Sequence, residues 1–236
     1  MSENKDIHNI ANSIANAQVN IATSCKKFGR GDLDVTLMAV SKTKPIESVL
    51  AAYQAGQRIF GENYAQELAD KSEKLAHLTD IEWHYIGPIQ SNKTKLICQS
   101  CQWIDSVDRV KIATRLSQHC VELDKVINIL IQVNISKSDK KSGILIEQVE
   151  EFAAQVSKLP NIKLKGLMAI PDKYDNIAIL KQEFNAMYSC YSDLQQLYPD
   201  IDTLSLGMSQ DMETAIECGS TMVRIGTDIF GLRDKG

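Results

Sequence analysis

Lys42 is the residue in this sequence with the clearest capacity for covalent chemistry. It follows the apolar run Val35–Val40 after a single serine, and Lys44 stands two residues further on. Apolar surroundings and a neighbouring cation both favour the neutral amine, which is the form that attacks an aldehyde to give an imine. The alternative is a lysine whose ammonium group reaches water at the end of a strand. Position in the sequence leaves both interpretations open.

Two glycine-containing segments near the C-terminus could bind an anion. Gly207-Met208-Ser209 and Gly226-Thr227 follow the last two apolar runs, and α/β barrels often bind phosphate in the loops after strands seven and eight. Ser209 can equally be the N-cap of a helix predicted from Gln210 to about Cys218. Asp211 and Glu213, in the first turn of that helix, would repel a phosphate unless they point away from it.

Arg224 lies inside the otherwise apolar run Met222–Ile225, where a charge needs a partner. In a closed barrel the eighth strand lies beside the first, which would bring Arg224 close to Lys42. The alternative is a structural ion pair with a strand-end carboxylate such as Glu62. An amine, two anion-binding loops and a cation at one barrel end suggest an aldehyde-bearing phosphate such as pyridoxal 5′-phosphate (PLP). A cofactor-free aldolase that forms an imine with a sugar phosphate remains open.

The elements that would position these residues are short apolar runs separated by helical patterns. Several runs are apolar on both faces, which is typical of parallel strands covered by helices. The predicted strands are Val35–Val40, Arg58–Phe60, Glu82–Ile86, Trp103–Val107, Ile127–Val133, Leu164–Ile170, Thr203–Leu206 and Met222–Ile225. A helix is predicted before them, over Asp6–Phe28. This alternation predicts the α/β class and a single (β/α)8 TIM barrel with an N-terminal helix, rather than an open doubly wound sheet.

Length and composition agree with one soluble domain spanning residues 1–236. The 236 residues are 44% hydrophobic and 24% charged, with a net charge of −4. No long basic run is present, so we expect no nucleic-acid partner. No apolar stretch approaches the roughly 20 residues of a membrane span, so we expect no membrane partner. The N-terminus has no secretory signal pattern, which predicts a cytoplasmic protein with reduced cysteines.

No metal site is predicted from the histidines. His8, His77, His84 and His119 are scattered along the chain without a matching set of ligands. His84 lies in the segment Trp83-His-Tyr-Ile-Gly87 and could act as a base. We expect instead a hydrogen-bonded structural histidine.

Several ordered motifs carry a family resemblance from about residue 8 to the C-terminus. They are Ala39-Val-Ser-Lys-Thr-Lys-Pro45, Phe60-Gly-Glu-Asn-Tyr64, Trp83-His-Tyr-Ile-Gly-Pro-Ile-Gln-Ser-Asn-Lys93, Gln132-Val-Asn-Ile135, Gly166-Leu-Met-Ala169, Leu206-Gly-Met-Ser209, Val223-Arg-Ile-Gly-Thr227 and Ile229-Phe-Gly231. Together they resemble the pyridoxal phosphate homeostasis protein family, whose members look like the barrel domain of alanine racemase. The resemblance implies a barrel like that of fold-type III PLP proteins.

The resemblance also implies a set of PLP-binding residues. By position they are Lys42 as the imine lysine, Asn63 near the ring, Arg224 beside the pyridine nitrogen, and Ser209, Gly226 and Thr227 around the phosphate. Lys44 and Lys137 match accessory lysines of the family. Asp228 departs from the pattern, since a small residue is usual there, and an extra carboxylate is expected to weaken phosphate binding.

The function implied by the resemblance is that of a monomeric PLP carrier or buffer in vitamin B6 homeostasis, with apo PLP-dependent enzymes as recipients. The rival is a PLP-dependent amino-acid racemase, which needs an acid/base group on each face of the cofactor. Lys42 would supply one face. In the resembled enzymes the other base is a tyrosine outside the barrel domain, and this sequence ends at Gly236, directly after the predicted barrel. We therefore expect no catalytic residue and no significant turnover.

Overall fold

The computed structural model describes residues 2–32 and 34–232, and its centre is a closed barrel of eight parallel strands. The strands pair in chain order and the eighth pairs with the first. Their bounds are β1 Thr36–Val40, β2 Ile59–Glu62, β3 Glu82–Tyr85, β4 Trp103–Val107, β5 Ile127–Val133, β6 Ile162–Ala169, β7 Thr203–Ser205 and β8 Met222–Ile225. The predicted α/β barrel is confirmed.

Helices follow the strands and cover the outside of the barrel. They are α1 Ser2–Lys27, α2 Ile46–Gln54, α3 Ala65–Lys74, α4 Thr94–Ser100, α5 Val110–Glu122, α6 Val149–Val156, α7 Ile177–Leu197, α8 Met212–Glu217 and α9 Thr227–Phe230, with short 3-10 turns at Ser91–Lys93 and Ile146–Gln148. Within the described ranges, none of these helices combines the length and apolar character needed to cross a membrane.

The predicted N-terminal helix is present as α1. Its residues Ile10, Ile14, Ala17 and Ile21 are buried at helical spacing, so they form one apolar face. This face packs among α2, α8 and α9, the helices beside the seam where β8 meets β1. The helix therefore covers the seam at which the barrel closes.

Two strands are longer than predicted, for identifiable reasons. β2 continues beyond Phe60 to Glu62 because a buried ion pair with Lys71 compensates the carboxylate. β6 begins at Ile162, and in its first half buried apolar residues alternate with the more exposed Lys163 and Lys165. Such alternation gives a weaker signal than a continuous apolar run.

The barrel interior holds polar groups beside a small apolar cluster. Trp103, Leu130 and Met168 form a buried cluster separate from the main core. His84 stacks on Trp103 with ring centroids 4.9 Å apart. Arg224 is almost fully buried. Charged groups inside the barrel need partners.

Candidate functional site

Four neighbouring strands, β7, β8, β1 and β2, bring the predicted site residues to one end of the barrel. β1 pairs with both β8 and β2, and Val40 lies opposite Gly61 in the second pairing. Lys42 and Asn63 each follow that pair by two residues, so they continue the same face at the carboxyl ends of the strands, here called the mouth. Gly226 reaches the mouth from β8, since a Cβ built on it would lie 3.2 Å from the carbonyl oxygen of Val40.

Lys42 is half-buried and lies in a tight turn directly after β1. The Ser41 amide donates to the Gly61 carbonyl at 3.0 Å, which extends the β1–β2 pairing by one residue. The Lys44 amide then donates to the Ser41 carbonyl at 3.0 Å and closes the turn. Thr43 adopts a left-handed conformation with φ of 63°, which is uncommon for a β-branched residue. The backbone on both sides of Lys42 is therefore in a defined conformation.

Asn63 is held close to the loop after β3. A Cβ built on Gly87 would lie 2.0 Å from the Asn63 carbonyl oxygen, a distance that real Cβ atoms do not reach. Only glycine allows these two backbone segments to approach so closely. This close approach explains why position 87 is a glycine, and it holds Asn63 against the loop after β3.

A buried polar network lies behind the Lys42 turn. The Lys71 ammonium donates to the Ser41 carbonyl at 2.8 Å and to the carboxylates of Glu62 and Glu67 at 2.7 Å each. The Ser41 hydroxyl donates to the same Glu62 oxygen at 2.6 Å. Sequence reasoning did not identify Lys71. The available signal was its place three residues after Leu68, on the buried face of α3.

Arg224 is held by neutral acceptors inside the barrel. Its Nη1 donates to the Ser205 carbonyl at 2.8 Å and the Ser205 hydroxyl at 2.6 Å, and its Nη2 donates to the Ala169 carbonyl at 2.9 Å. The alternative ion pair with Glu62 is wrong, because that carboxylate pairs with Lys71. Burial lowers the pKa of Arg224, and the carboxylates of Asp105 and Asp211 oppose this effect.

His84 is hydrogen-bonded, as predicted. Its Nδ1 lies 3.0 Å and 3.1 Å from the two carboxylate oxygens of Asp105, and its Nε2 lies 3.3 Å from a Glu82 oxygen. Burial alone would lower the pKa of His84, but Asp105 and Glu82 outweigh it and raise this pKa to about 9. The imidazole is therefore protonated at neutral pH. Asp105 was missed, although a carboxylate within the buried run Trp103–Val107 was a visible signal.

The two predicted anion-binding loops lie next to each other. The Arg224 amide donates to the Gly207 carbonyl at 3.0 Å, which ties the loop after β7 to β8. Ser209 and Asp228 line a common cavity of about 250 Å³ with polar side chains of α1. Gly207 has a φ of 94°, and a Cβ there would lie 2.6 Å from the Cβ of Ala215, so this turn requires glycine.

The prediction that Ser209 caps the following helix is wrong. The helix α8 begins at Met212, and Asp211 occupies the N-cap position without a side-chain bond to the helix. The Asp211 carboxylate instead accepts from the Met208 amide at 2.5 Å, and this bond closes the loop before the helix begins. Burial raises the pKa of Asp211 despite that bond. Glu213 points outward and pairs with Lys27 at 2.5 Å.

The two accessory lysines have partners of their own. The Lys44 ammonium donates to the Leu232 carbonyl at 2.7 Å. Lys137 lies on the loop after β5 and forms an exposed ion pair with Glu147 at 2.6 Å. Both amines are therefore engaged by groups other than the six predicted PLP-binding residues.

Comparison with known proteins shows which family the chain belongs to. Residues 13–234 match the model of the family described as alanine racemase, N-terminal domain. The pyridoxal phosphate homeostasis protein of Pasteurella multocida is 49% identical over 228 residues, which are 95% of this chain and 98% of the relative. The chain belongs to the pyridoxal phosphate homeostasis protein family. The family member from Escherichia coli K12 is 47% identical over 231 residues, covering 97% of this chain and 98% of the relative.

A solved structure extends this family relationship to three dimensions. The structure of PipY from Synechococcus elongatus PCC7942 with PLP bound has a TM-score of 0.81 to this chain and 33% sequence identity. The match covers 94% of this chain and 100% of PipY. PipY and this chain therefore share the same barrel architecture over almost the whole length of this chain.

Proposed function

We propose that this protein binds PLP through a reversible imine on Lys42 and carries or buffers the cofactor, as a monomer in the cytoplasm. The observation that carries the proposal is the adjacency of β7, β8, β1 and β2. It places a half-buried amine, a buried guanidinium and two glycine-containing loops at one mouth. The family relationship supports it, since PipY has been solved with PLP bound. PLP supplies an aldehyde to which a lysine amine adds reversibly.

The residues at the mouth fit the two ends of PLP. The bonds from Arg224 to Ser205 and Ala169 use both N–H groups of Nη1 and one of Nη2, so a pyridine nitrogen would be bound by Nε or by the second N–H of Nη2. Ser209, Gly226 and Thr227 would hold the phosphate, and Asn63 would lie near the ring. A side chain at position 226 would crowd the Val40 carbonyl, so a glycine keeps the backbone open to the phosphate. Asp228 would lie beside this phosphate and weaken its binding.

A direct test is reduction of the PLP-loaded protein with borohydride, followed by peptide mass mapping. We expect a visible absorbance band that borohydride removes, and a pyridoxyl adduct on Lys42. An aldolase would instead be trapped on a sugar phosphate and would show no affinity for PLP. A reduced adduct confined to another lysine, or no adduct at all, would contradict the proposed anchor.

The carrier function requires that PLP leaves the protein for a recipient. We expect the PLP-loaded protein to reactivate an apo PLP-dependent enzyme, and the borohydride-reduced protein to fail, because reduction makes the link irreversible. The relatives at 47–49% identity are named homeostasis proteins, which is consistent with this role. The control is an equal amount of free PLP together with an inert protein. If the loaded protein reactivates the enzyme no faster than this control, the protein stores PLP without transferring it.

Amino-acid racemase turnover is expected to be absent or very slow. Arg224 donates a hydrogen bond but does not readily give up its proton, so it leaves the pyridine ring a weak electron sink. Among the barrel tyrosines considered as a second base, Tyr85 donates to the Pro88 carbonyl at 3.0 Å and Tyr64 is 52% exposed. Incubation of the loaded protein with L-alanine in deuterated water tests this. D-alanine accumulating at ordinary enzyme rates would overturn the carrier proposal.

The phosphate loops give a further prediction. The double variant Ser209→Ala and Thr227→Ala should weaken PLP more than pyridoxal, which lacks the phosphate. Each lost charge-assisted hydrogen bond is expected to cost about 1.5–3 kcal/mol. Binding titrations of both ligands to both proteins measure the difference. Equal weakening of the two ligands would show that the phosphate binds elsewhere.

A further inference from the structure

We propose that Lys71 is a positioning residue, which fixes the turn that carries Lys42 and so sets where the Lys42 amine meets an aldehyde. This inference rests on the proposed function, because it assigns a role to Lys71 through the imine on Lys42. Lys71 does not reach the mouth itself. It acts from behind β1, through the two residues that flank Lys42.

The burial of Lys71 shows that its ammonium group is part of the interior structure. Its side chain is 4% exposed, and it donates to three acceptors, the Ser41 carbonyl and the carboxylates of Glu62 and Glu67. A buried ammonium group is costly unless all its donors are satisfied, and three acceptors satisfy the three donors of a lysine. The position of this nitrogen is therefore sharply defined.

The network holds the chain on both sides of Lys42. On the N-terminal side, Ser41 is bound through its carbonyl by Lys71 and through its hydroxyl by Glu62. On the C-terminal side, the Thr43 amide donates to Glu67 at 2.7 Å, to the same oxygen that accepts from Lys71. Lys42 is the single residue between these two attachment points. Its backbone cannot shift without breaking one of them.

The turn needs this support because its conformation is strained. Thr43 has a φ of 63°, and a left-handed conformation costs a β-branched residue free energy that the surroundings must offset. The bond from its amide to Glu67 provides part of the compensation. Without Lys71, Glu67 loses its buried cation and the Thr43 amide loses a fixed acceptor. The turn is then expected to relax, and the Lys42 amine moves with it.

The charges in the network explain why a lysine is required. Glu62 is fully buried, and its Oε2 has no hydrogen-bond partner among the described residues. Burial raises the pKa of Glu62, while Lys71 and Ser41 oppose this rise. An apolar residue at position 71 would fill the space beside α3 but would leave this carboxyl and the Ser41 carbonyl without their shared donor. The turn would lose the hydrogen bond from Lys71 to the Ser41 carbonyl even where packing is preserved.

The test compares two ligands in the variant Lys71→Met. PLP reports on the imine, whereas pyridoxine 5′-phosphate has an alcohol in place of the aldehyde and reports only on the ring and phosphate contacts. In the variant we expect the affinity for PLP, measured by the imine band, to fall about tenfold, as for a misplaced reacting group. Affinity for pyridoxine 5′-phosphate should change less than about twofold. A purely structural role would weaken both ligands equally or neither.

The matched control is Lys125→Met. Lys125 is another partly buried lysine, and it donates to the carbonyls of Cys98 and Cys101 at 2.8 Å and 2.5 Å, near the amino ends of β4 and β5. This variant should lose stability and keep the wild-type ratio of the two affinities.

If Lys71→Met does not fold, Glu67→Ala carries the same comparison, since it removes the acceptor shared by Lys71 and Thr43. An unchanged affinity ratio in the folded variant overturns the inference.

Failure of the inference is distinguishable from failure of the proposed function. If borohydride reduction of the wild-type protein labels Lys42, the proposed anchor stands whatever the Lys71 variants show. If it labels another residue, the proposed anchor falls, and the role of Lys71 falls with it. The positioning role is supported only by two results together. Borohydride must label Lys42 in the wild-type protein, and Lys71→Met must raise the dissociation constant of PLP relative to that of pyridoxine 5′-phosphate.

Discussion

Replacing Lys42 by alanine is expected to abolish the imine absorbance and the borohydride adduct completely. The nearest alternative in sequence, Lys44, is bound to the Leu232 carbonyl, and Lys137 is paired with Glu147. The stability cost should be small, below about 1 kcal/mol, because Lys42 lies in a turn and outside the apolar core. Absorbance spectra at equal PLP occupancy and urea unfolding measure the two effects.

The control for this experiment is Lys165→Ala. Lys165 pairs with Asp202 at 2.6 Å at the opposite end of the barrel, so its loss should leave the imine band intact. A full band in Lys42→Ala would identify another lysine as the anchor, and Lys44 and Lys137 would be replaced next. A partial band would indicate two competing anchors. Either result contradicts a single imine lysine at the end of β1.

The second large effect is expected from Asp105→Ala, which should lower the free energy of unfolding by about 3–5 kcal/mol. Asp105 is fully buried, and both its oxygens contact Nδ1 of His84. Its removal leaves His84 either charged with only Glu82 as a partner or neutral without its main acceptor, and it also opens a cavity. Urea denaturation measures the loss. Glu122→Ala, which breaks only exposed contacts to Lys95 and His119, should cost less than about 1 kcal/mol.

The same pair gives the wild-type protein a characteristic dependence of stability on pH. The pKa of His84 is raised to about 9 in the folded protein, above its ordinary value of 6.5. The folded state therefore holds a proton that the unfolded state has lost, and stability declines as pH rises between these values. The contribution of His84 is complete below pH 6.5 and is lost as pH passes about 9. Asp105→Ala should flatten this decline, and an unchanged decline would assign it to other groups.

The local pattern of the sequence was sufficient to predict the barrel. Strands such as Ile127–Val133 and Met222–Ile225 were located at their observed bounds because burial on both faces leaves runs in which most residues are apolar. The order of the strands then follows from right-handed connections between parallel neighbours. Once the barrel closes, the ends of β8, β1 and β2 must lie together. This is why Lys42, Asn63 and Arg224 could be placed at one mouth without coordinates.

What the sequence could not determine was which charge pairs with which. Arg224 and Glu62 stood out as charges in apolar runs and were possible partners, yet Arg224 binds carbonyl groups and Glu62 binds Lys71. Strand register sends Arg224 into the barrel and Glu62 outward against α3. A one-residue change in register would exchange these faces.

The sequence by itself determined the barrel architecture and the position of Lys42 at the end of β1, because both depend on patterns that are local in the chain. The partners of the buried charges were decided by the tertiary structure alone. Lys71 reaches Ser41 across 30 positions of sequence, and Asp105 reaches His84 across 21. Such contacts depend on how a helix packs against the barrel and on the register of neighbouring strands. Hydrogen bonds are sensitive to displacements of a few tenths of an ångström, and only the packed fold specifies distances so closely.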